Sequence, residues 1–365
     1  MSKEVPSDQK VLVGMSGGVD SSVAAYLLKQ QGYYTEGLSF ILWARGLDTN
    51  ARDTPGATNP CCSVASLNDA RTTAAALGIR HNILDVRLEF MQLVIEPFIE
   101  SYGRGITPNP CVLCNRYVKF PYLLSEAASR GFDYIATGHY AVVTHQPQPA
   151  LMTATDMTKD QSYFLYVLSL RCLSSLKFPL GLWTKPRVRE LAGELGLPCH
   201  KRPESQEICF VDDSGYRGFL SGYSKDIQVA GPIVDVDGKT IGAHKGLFAY
   251  TIGQRRGIGI AAKEPLYVID MDVATNTLIV GPKGFGLKTQ FIVDDINWLI
   301  PATEVPDSVL VKFRSTMTAV PAQLWYVGGD TSRKVVLQSP QWAPARGQSA
   351  VFYVGNRVIG GGVIV

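Results

Sequence analysis

The most restrictive stretch of the chain lies near its start, where an apolar run leads through a glycine pair into a helical pattern. Residues 10–33 read KVLVGMSGGVDSSVAAYLLKQQGY. In α/β proteins, a strand, a glycine-rich turn and a helix in this order present backbone N–H groups and a positive helix end to a phosphate. Neither G-x-x-x-x-G-K-[ST] nor G-x-G-x-x-G is present, since no Lys follows the glycines. The stretch therefore predicts a phosphate-binding loop of a different type.

The 365-residue chain divides into two patterns. Up to about residue 205, strand-like runs such as RHNILDV alternate with helix-like runs such as KFPYLLSEAASRG, which predicts a parallel sheet covered by helices. From about residue 226, short alternating strands are separated by turn dipeptides, as is typical of small β-barrels. We therefore predict an α/β domain over residues 1–205, a central β-rich domain over 206–282 and a C-terminal β-barrel over 283–365.

Charge, hydrophobicity and cysteine content restrict the partners that we expect for the protein, its cellular location and the role of its thiols. A net charge of +3 does not by itself indicate a nucleic-acid partner. The chain lacks a run of about eighteen apolar residues, and its start, MSKEVPSDQK, lacks the features of a secretory or mitochondrial leader. We therefore expect a cytoplasmic protein with no membrane partner. Seven cysteines, an odd number, argue against a disulfide framework and favour reactive or metal-binding thiols.

The side chains of the glycine loop add to its predicted chemistry. Gly17 and Gly18 let the backbone approach an oxyanion, while Ser16 and Ser21 supply hydroxyl donors. Asp20 would repel a phosphate unless Mg²⁺ lies between them, so it indicates either metal-bridged phosphates or a helix cap. A plain capped turn is the alternative for a bare G-G-x-D. The full string S-G-G-x-D-S-S resembles the pyrophosphatase-type loop (PP-loop) of enzymes that cut ATP between its α- and β-phosphates.

Further motifs narrow the family. The stretch TPNPCVLCNRYVKF places Cys111 and Cys114 in a C-x-x-C, and ESQEICF contains Cys209. With ATGHY, KDQSYFLY, IGQRRGIGI and GQSAVFY, these strings resemble the tRNA-specific 2-thiouridylases over essentially the whole chain. The resemblance implies an ATP-binding catalytic domain of the PP-loop, adenine-nucleotide α-hydrolase-like fold, followed by β-rich domains of which the last binds tRNA. It also implies adenylation of the ring oxygen of the wobble uridine and its replacement by sulfur from a cysteine persulfide.

The same resemblance implies roles for individual residues. Cys209 would hold the persulfide that a sulfur-donor protein supplies, Cys114 would attack it and form a disulfide, and Asp20 would act at the phosphates of ATP. On local pattern alone, Cys209 could equally be an inert buried thiol. The residues implied at ATP are Gly14, Met15, Ser16, Gly17, Gly18, Val19, Asp20, Ser21, Phe40 and Gly138. Those implied at the tRNA anticodon stem-loop are Asn109, Pro110, Cys111, His139, Lys159, Asp160, Gln161, Arg314, Ser315 and Gln348.

One residue departs from the commonest family pattern, in which an Asp precedes the first catalytic Cys by three positions. This chain has Cys111 there, which leaves the acid/base role of that Asp unassigned. Cys111, Cys114 and Cys209 could instead hold a 4Fe-4S cluster by three irons, leaving the fourth for sulfide. Structural Zn²⁺ takes four ligands, and the chain has no second C-x-x-C. The remaining cysteines are interpreted as accessory or structural, or have no motif support: Cys61, Cys62, Cys172 and Cys199.

Two other functions remain open. A different adenylating enzyme, such as an amide-forming synthetase acting on a small metabolite, could use the same loop, although it would need an ammonia source. A nucleotide-sensing RNA-binding module could use its thiols only to bind metal. For single residues the alternatives are structural, since His139 could be a packing residue and residues 159–161 a polar loop. The mass of tRNA after incubation with ATP and sulfide separates these functions.

Overall fold

The protein is described here by a computed structural model that covers residues 8–43, 64–201, 208–211, 215–223, 228–329 and 331–365. The chain forms two compact units. The first comprises residues 1–94, 111–213 and 356–358, and the second comprises residues 95–110, 214–355 and 359–365. Each unit is therefore built from segments that are distant in the sequence. The predicted boundaries after residues 205 and 282 assume contiguous domains and stay predictions.

The first unit is centred on a parallel sheet. Its strands are β1 (Lys10–Gly14), β2 (Tyr34–Ile41), β3 (Arg80–Asp85), β4 (Tyr134–Thr137), β5 (Val142–Thr144), β6 (Ala150–Met152) and β7 (Leu176–Lys177). Five of them form a sheet in the order β3-β2-β1-β4-β7, and all of its pairings are parallel. Strand β1 buries Val11, Leu12 and Val13 completely, as expected for a parallel strand covered on both faces. The predicted α/β architecture is confirmed.

Helices cover this sheet. Over the described residues the helices are, in chain order, α1 (Val19–Gln30), α2 (Val64–Ala76), α3 (Arg87–Phe90), α4 (Glu96–Gly103), α5 (Pro110–Leu113), α6 (Phe120–Ser129), α7 (Leu170–Ser174), α8 (Lys185–Glu194) and α9 (Gly215–Tyr223). Of these, α4 and α9 belong to the second unit. Helix α5 continues through π-helical turns over Cys114–Lys119 into α6. Val19 and Val23 of α1 share a core cluster with Val188 and Leu191 of α8. This packing places the start of α8 beside the start of α1.

The second unit contains two β structures. Its strands are β8 (Gly231–Val234), β9 (Thr240–His244), β10 (Tyr267–Asp272), β11 (Thr277–Gly281), β12 (Leu287–Trp298), β13 (Ser308–Lys312), β14 (Val320–Tyr326), β15 (Arg333–Trp342), β16 (Ser349–Val354) and most of β17 (Arg357–Ile364). A four-stranded sheet has the order β10-β11-β8-β9. Six strands in the order β12-β15-β14-β13-β16-β17 close into a barrel, because β12 also pairs with β17. The predicted β-rich part with a C-terminal barrel is confirmed.

Two smaller features complete the fold. In the first unit, β5 and β6 form a hairpin, and Arg357 and Val358 pair with Met152 and Leu151 of β6. Among the helices within the described ranges, none combines the length and the apolarity needed to cross a bilayer.

Candidate active site

The loop between β1 and α1 has the geometry of an anion-binding site. Gly17 has φ +74°, and a Cβ at this position would lie 2.1 Å from the carbonyl oxygen of Ser66, so only glycine fits. Gly18 is the N-cap residue of α1 in an extended conformation, and no side-chain hydrogen bond caps the helix. Asp20 is therefore not a helix cap. The first-turn N–H groups and the positive end of α1 can instead bind an anion.

Serine hydroxyls hold the loop in this shape. Ser21 Oγ donates to the carbonyl oxygen of Gly18 at 3.1 Å and accepts from the backbone N–H of Ser16 at 3.1 Å. The Ser22 hydroxyl donates to the same carbonyl oxygen at 2.9 Å. Ser16 is the exposed serine of the three, with its Oγ 3.3 Å from Ser21 Oγ. Ser21 and Ser22 thus preorganise the backbone, while Ser16 is accessible to a ligand.

Asp20 belongs to an ion-pair network that the sequence pattern does not reveal. The Lys185 ammonium donates to both carboxylate oxygens of Asp20, at 2.7 and 2.6 Å, and the Tyr140 hydroxyl donates to Oδ1 at 2.8 Å. Lys185 is only 7% exposed, and its backbone N–H donates to the Asp156 carboxylate at 2.9 Å. A buried cation in the first turn of a helix is unfavourable without an anion beside it. The stretch WTKPRVREL, with its Lys at a helix start, was the available signal.

Other residues implied at ATP lie around the carboxyl ends of the strands. Phe40 is half-buried near the end of β2. Gly138 follows β4, and a Cβ there would lie 2.6 Å from backbone atoms of Asp20 and Ser21. Gly138 therefore lets the start of α1 pack closely against this edge, and its implied contact with adenosine stays a prediction. The remaining residues implied at ATP lie at the end of β1, directly after it and at the start of α1: Gly14, Met15 and Val19.

Three thiols of the first unit differ in exposure. Cys111 is exposed in α5, Cys114 is 6% exposed at the start of the π-helical turns, and Cys209 is half-buried. Burial, helped by the charges of Cys209 and Cys111 and opposed by that of Lys119, raises the pKa of Cys114 to about 12. The three thiols are therefore close enough to interact electrostatically.

Aromatic packing brings the Cys209 segment to the same region. The ring of Phe210 lies 5.8 Å from that of Phe90 in α3, and α3 contacts the π-helical turns that begin at Cys114. Among the described residues, no three Cys, His, Asp or Glu side chains are grouped so that they could hold one metal ion. The 4Fe-4S site therefore stays a prediction.

Two further cysteines lie in the described part of the chain. Cys172 and Cys199 are buried, and burial raises the pKa of Cys172 to about 12. The Cys199 thiol donates to the Ser22 hydroxyl at 3.4 Å. Cys61 and Cys62 lie outside the described residues.

His139 occupies a packed position after β4. Its Nδ1 is 2.7 Å from the Thr137 hydroxyl, and its ring packs against those of Phe120 and Phe178. Burial, together with the charge of Lys119, holds the pKa of His139 well below its ordinary value. The ring is therefore neutral at neutral pH. These contacts suit a packing residue, and the implied tRNA contact stays a prediction.

The segment 159–161 is tied to the same site by hydrogen bonds. The Asp160 carboxylate accepts from the Ser162 hydroxyl at 2.8 Å. The side-chain oxygen of Gln161 accepts from the backbone N–H of Tyr140 at 2.9 Å, and the Gln161 N–H donates back to the Tyr140 carbonyl at 2.8 Å. Lys159 is half-buried beside them. Gln161 therefore positions Tyr140, whose hydroxyl belongs to the carboxylate network, while Asp160 holds the turn at Ser162. The implied tRNA contacts of residues 159–161 stay predictions.

The remaining residues implied at tRNA lie in the second unit. The Gln348 amide donates to the Thr107 carbonyl at 3.0 Å, and Arg314 donates to the carbonyl of Ala343 at 2.6 Å. Both side chains therefore stabilise loops of this unit. Their tRNA contacts stay predictions, as do those of Asn109, Pro110 and Ser315.

Protein-family models match the chain in three consecutive segments. Residues 9–213 match a tRNA methyl transferase HUP domain, residues 217–282 a tRNA methyl transferase PRC-barrel domain, and residues 288–364 an aminomethyltransferase β-barrel domain. The first match alone covers more than half of the chain.

Full-length relatives agree with these matches. The chain is 42% identical to the tRNA-specific 2-thiouridylase MnmA of Clostridioides difficile, with 98% of both chains covered. It is 43% identical to the MnmA of Carboxydothermus hydrogenoformans, with 99% of both covered, and 44% identical to that of Chloroflexus aurantiacus, with 97% and 98% covered. A solved complex of a 4-thiouridine synthetase with RNA and ATP has 15% identity and a TM-score of 0.35 over 60% of this chain and 51% of its own, which is too distant to carry an inference. This chain belongs to the tRNA-specific 2-thiouridylase family.

Proposed function

We propose that this protein is an ATP-dependent sulfurtransferase that converts the wobble uridine of tRNA to 2-thiouridine. One observation carries the proposal: a single unit contains both an anion-binding loop at an uncapped helix end and the interacting cysteines Cys114 and Cys209. The full-length similarity to 2-thiouridylases supports the tRNA substrate. An amide-forming synthetase, the alternative enzyme, would have no need of the thiols.

ATP is required because the oxygen at C2 of uracil is a poor leaving group. Adenylation attaches AMP to this oxygen and releases pyrophosphate, after which the oxygen can depart as part of AMP. The N–H groups at the start of α1 would bind the pyrophosphate, since they carry partial positive charge in a preorganised loop. Mg²⁺ would enter with ATP, neutralising phosphate charge, and Asp20 is the carboxylate in the loop that would hold it.

Lys185 supplies the cation that the loop itself lacks. In P-loops, a Lys directly after the glycines reaches the phosphates. Here the ammonium comes from the start of α8 and is held 2.6 and 2.7 Å from the oxygens of Asp20. We infer that this ion pair exchanges partners when Mg²⁺ and ATP bind, so that Asp20 faces the metal and Lys185 faces the phosphate oxygens.

Sulfur transfer uses the two cysteines. A donor protein would leave a persulfide on Cys209, whose inner sulfur is the Sγ atom. The Cys114 thiolate attacks this Sγ, the Cys114–Cys209 disulfide forms, and the outer sulfur leaves as HS⁻. HS⁻ then attacks C2 of the adenylated uridine, and AMP departs with the C–O bonding electrons. Each turnover therefore ends with a disulfide that needs two electrons from a reductant.

The partners follow from this chemistry. A wobble base lies in the anticodon loop, so it can be turned into a pocket without breaking a duplex. The residues implied at tRNA by the family resemblance would hold the anticodon stem-loop, and a persulfide-bearing donor protein would reach Cys209. A cytoplasmic location, which the sequence predicts, would give access to both.

The proposal is tested with tRNA transcript, Mg²⁺, ATP and a persulfide or sulfide source. We expect tRNA-dependent release of pyrophosphate and 2-thiouridine in the digested tRNA by mass spectrometry. Asp20→Ala should abolish pyrophosphate release and leave tRNA binding nearly intact, whereas Asp237→Ala, in an exposed turn after β8, should change neither. Unchanged pyrophosphate release in Asp20→Ala would contradict the role of the loop.

A further inference from the structure

Cys111 has no role in the two-cysteine step, although it is the most exposed of the three thiols. It lies in α5, three residues before Cys114, and is exposed, whereas Cys114 is 6% exposed. Side chains three residues apart are neighbours on a helix. Helix geometry also puts the Cα atoms of such a pair within the range of about 4.4–6.8 Å that a disulfide spans. A Cys111–Cys114 disulfide is therefore compatible with the backbone of this segment.

Reduction of the Cys114–Cys209 disulfide is a problem of access. A reductant protein must bring its own sulfur into line with one sulfur of the disulfide. Cys114 is buried and Cys209 is half-buried, in a region where Phe210 packs against Phe90. A dithiol protein would reach this bond poorly, whereas it would reach a disulfide at Cys111 directly.

We propose that Cys111 is a resolving thiol that moves the disulfide from Cys114–Cys209 to Cys111–Cys114 after each turnover. This role rests on the proposed function. The Cys111 thiolate attacks Sγ of Cys114, the Cys114–Cys209 bond breaks, and its electron pair leaves on Cys209 as a thiolate. The exchange is neutral in electrons and needs no other reactant.

A dithiol reductant protein of the thioredoxin class completes the cycle. One of its thiolates attacks Sγ of Cys111, which releases Cys114 as a thiolate, and its second thiol resolves the mixed disulfide. The two electrons thus come from the reductant, and the disulfide ends on it. Because Cys209 is released in the first exchange, it can accept the next persulfide sulfur before Cys111 and Cys114 are reduced. A carboxylate at position 111, the commoner family pattern, could not take part in this exchange.

The position of the disulfide can be read directly by peptide mass. Trypsin cleaves after Arg104 and Arg116, so residues 105–116 form one peptide with both Cys111 and Cys114. It cleaves after Lys201 and Arg217 but not before a proline, so residues 202–217 form the peptide with Cys209. Wild-type enzyme loaded with persulfide would be given tRNA and ATP without reductant, quenched in acid, alkylated and digested.

We expect peptide 105–116 to lack two hydrogen atoms and peptide 202–217 to carry the alkyl group. A cross-link between these two peptides as the only disulfide, together with 2-thiouridine in the tRNA, would overturn the resolving role while leaving the proposed function intact. Absence of 2-thiouridine under all conditions would instead contradict the proposed function itself.

The matched variants are Cys111→Ser and Cys172→Ser, the second at a buried residue of α7. In Cys111→Ser we expect the cross-linked peptides to accumulate. We also expect the steady-state rate with thioredoxin, divided by the first-turnover rate, to fall about tenfold or more. A small phosphine reductant should restore that ratio, since it needs less access. Cys172→Ser should behave as the wild type. An unchanged ratio in Cys111→Ser, or a first turnover without any 2-thiouridine, would overturn the proposal.

Discussion

At the scale of single residues, burial sets the reactivity of the cysteines. Cys111 is exposed, whereas burial is the largest cause that raises the pKa of Cys114 and of Cys172 to about 12. A thiol whose pKa is raised in this way is mostly protonated at pH 8, and only the thiolate is a nucleophile. A step that ionises Cys114 must therefore precede its attack on the persulfide.

Alkylation of the native protein should follow this order. We expect iodoacetamide to modify Cys111 first at pH 8, with Cys114 and Cys172 last. The rate at Cys114 should rise about tenfold per pH unit as pH increases towards its pKa, because the thiolate fraction rises in that direction. Timed quenching and tryptic peptide masses measure each site. Equal rates at Cys111 and Cys114 at pH 8 would contradict the burial of Cys114.

The buried ion pair of the loop gives a second prediction at this scale. Lys185→Met keeps the length of the side chain but leaves the Asp20 carboxylate with the Tyr140 hydroxyl as its remaining partner in this network. We expect the rate of tRNA-dependent pyrophosphate release to fall about a hundredfold, the usual effect of removing one preorganised group that stabilises developing phosphate charge. Lys185→Arg should recover part of that rate.

A control for this variant lies on the same helix. Arg187 is exposed in α8 and pairs with Glu190 and Glu194. Exposed pairs of this type contribute little to stability, so Arg187→Met should retain the wild-type rate within about twofold. Similar rates in Lys185→Met and Arg187→Met would show that the ammonium at Asp20 has no part in ATP chemistry.

At the scale of elements, the site depends on how closely α1 approaches the end of β4. A Cβ at Gly138 would lie 2.6 Å from the carbonyl carbon of Asp20 and from the backbone nitrogen of Ser21. Gly138→Ala should therefore displace the start of α1, lower the free energy of unfolding by about 1–3 kcal/mol and weaken ATP binding. Denaturant unfolding and equilibrium ATP binding measure the two effects.

A second glycine provides the matched control. Gly193 lies in α8, and a Cβ there would meet no atom within 4 Å. Gly193→Ala should leave ATP binding unchanged and stabilise the protein by up to about 1 kcal/mol, because alanine is the better helix former. If Gly138→Ala bound ATP as tightly as Gly193→Ala, the close packing of α1 on β4 would not matter for the loop.

The same elements explain how much of the site could be predicted. The phosphate loop is encoded locally, because the glycines, the serines and the flanking strand and helix lie within one stretch of sequence. The partner of Asp20 is not local, since Lys185 is 165 residues away and reaches the loop only because α8 packs against α1. Cys114 and Cys209 were identified by their motifs, but no pattern distinguishes the buried thiol from the exposed one within a C-x-x-C.

At the scale of the whole molecule, the units do not follow simple boundaries in the sequence. Residues 356–358 belong to the first unit, where Arg357 and Val358 pair with β6. Deleting the chain after residue 282 to test tRNA binding would therefore also remove a strand segment from the first unit. Substitutions on the surface of the second unit are the cleaner test.

A basic loop of the second unit offers such a surface. Arg255, Arg256 and Lys263 are exposed in the loop between strands β9 and β10. Residues of this loop, among them Arg255 and Lys263, line a cavity of about 610 Å³. The net charge of +3 gave no indication of a nucleic-acid partner, because this cluster is balanced by carboxylates elsewhere in the sequence. Local rather than total charge is what a phosphate backbone meets within a Debye length.

Replacing two of these charges should weaken tRNA binding through phosphate contacts. For Arg255→Ala/Arg256→Ala we expect a higher Kd for tRNA. The slope of log Kd against the logarithm of the salt concentration should fall by about 2, which is about one for each lost phosphate contact. ATP binding should not change, because the loop belongs to the second unit. Lys239→Ala, an exposed cation in the turn beside Asp235, is the control and should leave the salt slope unchanged. Titrations of labelled tRNA at several salt concentrations measure the slope, and an unchanged slope in the double variant would mean that this loop does not contact the tRNA backbone.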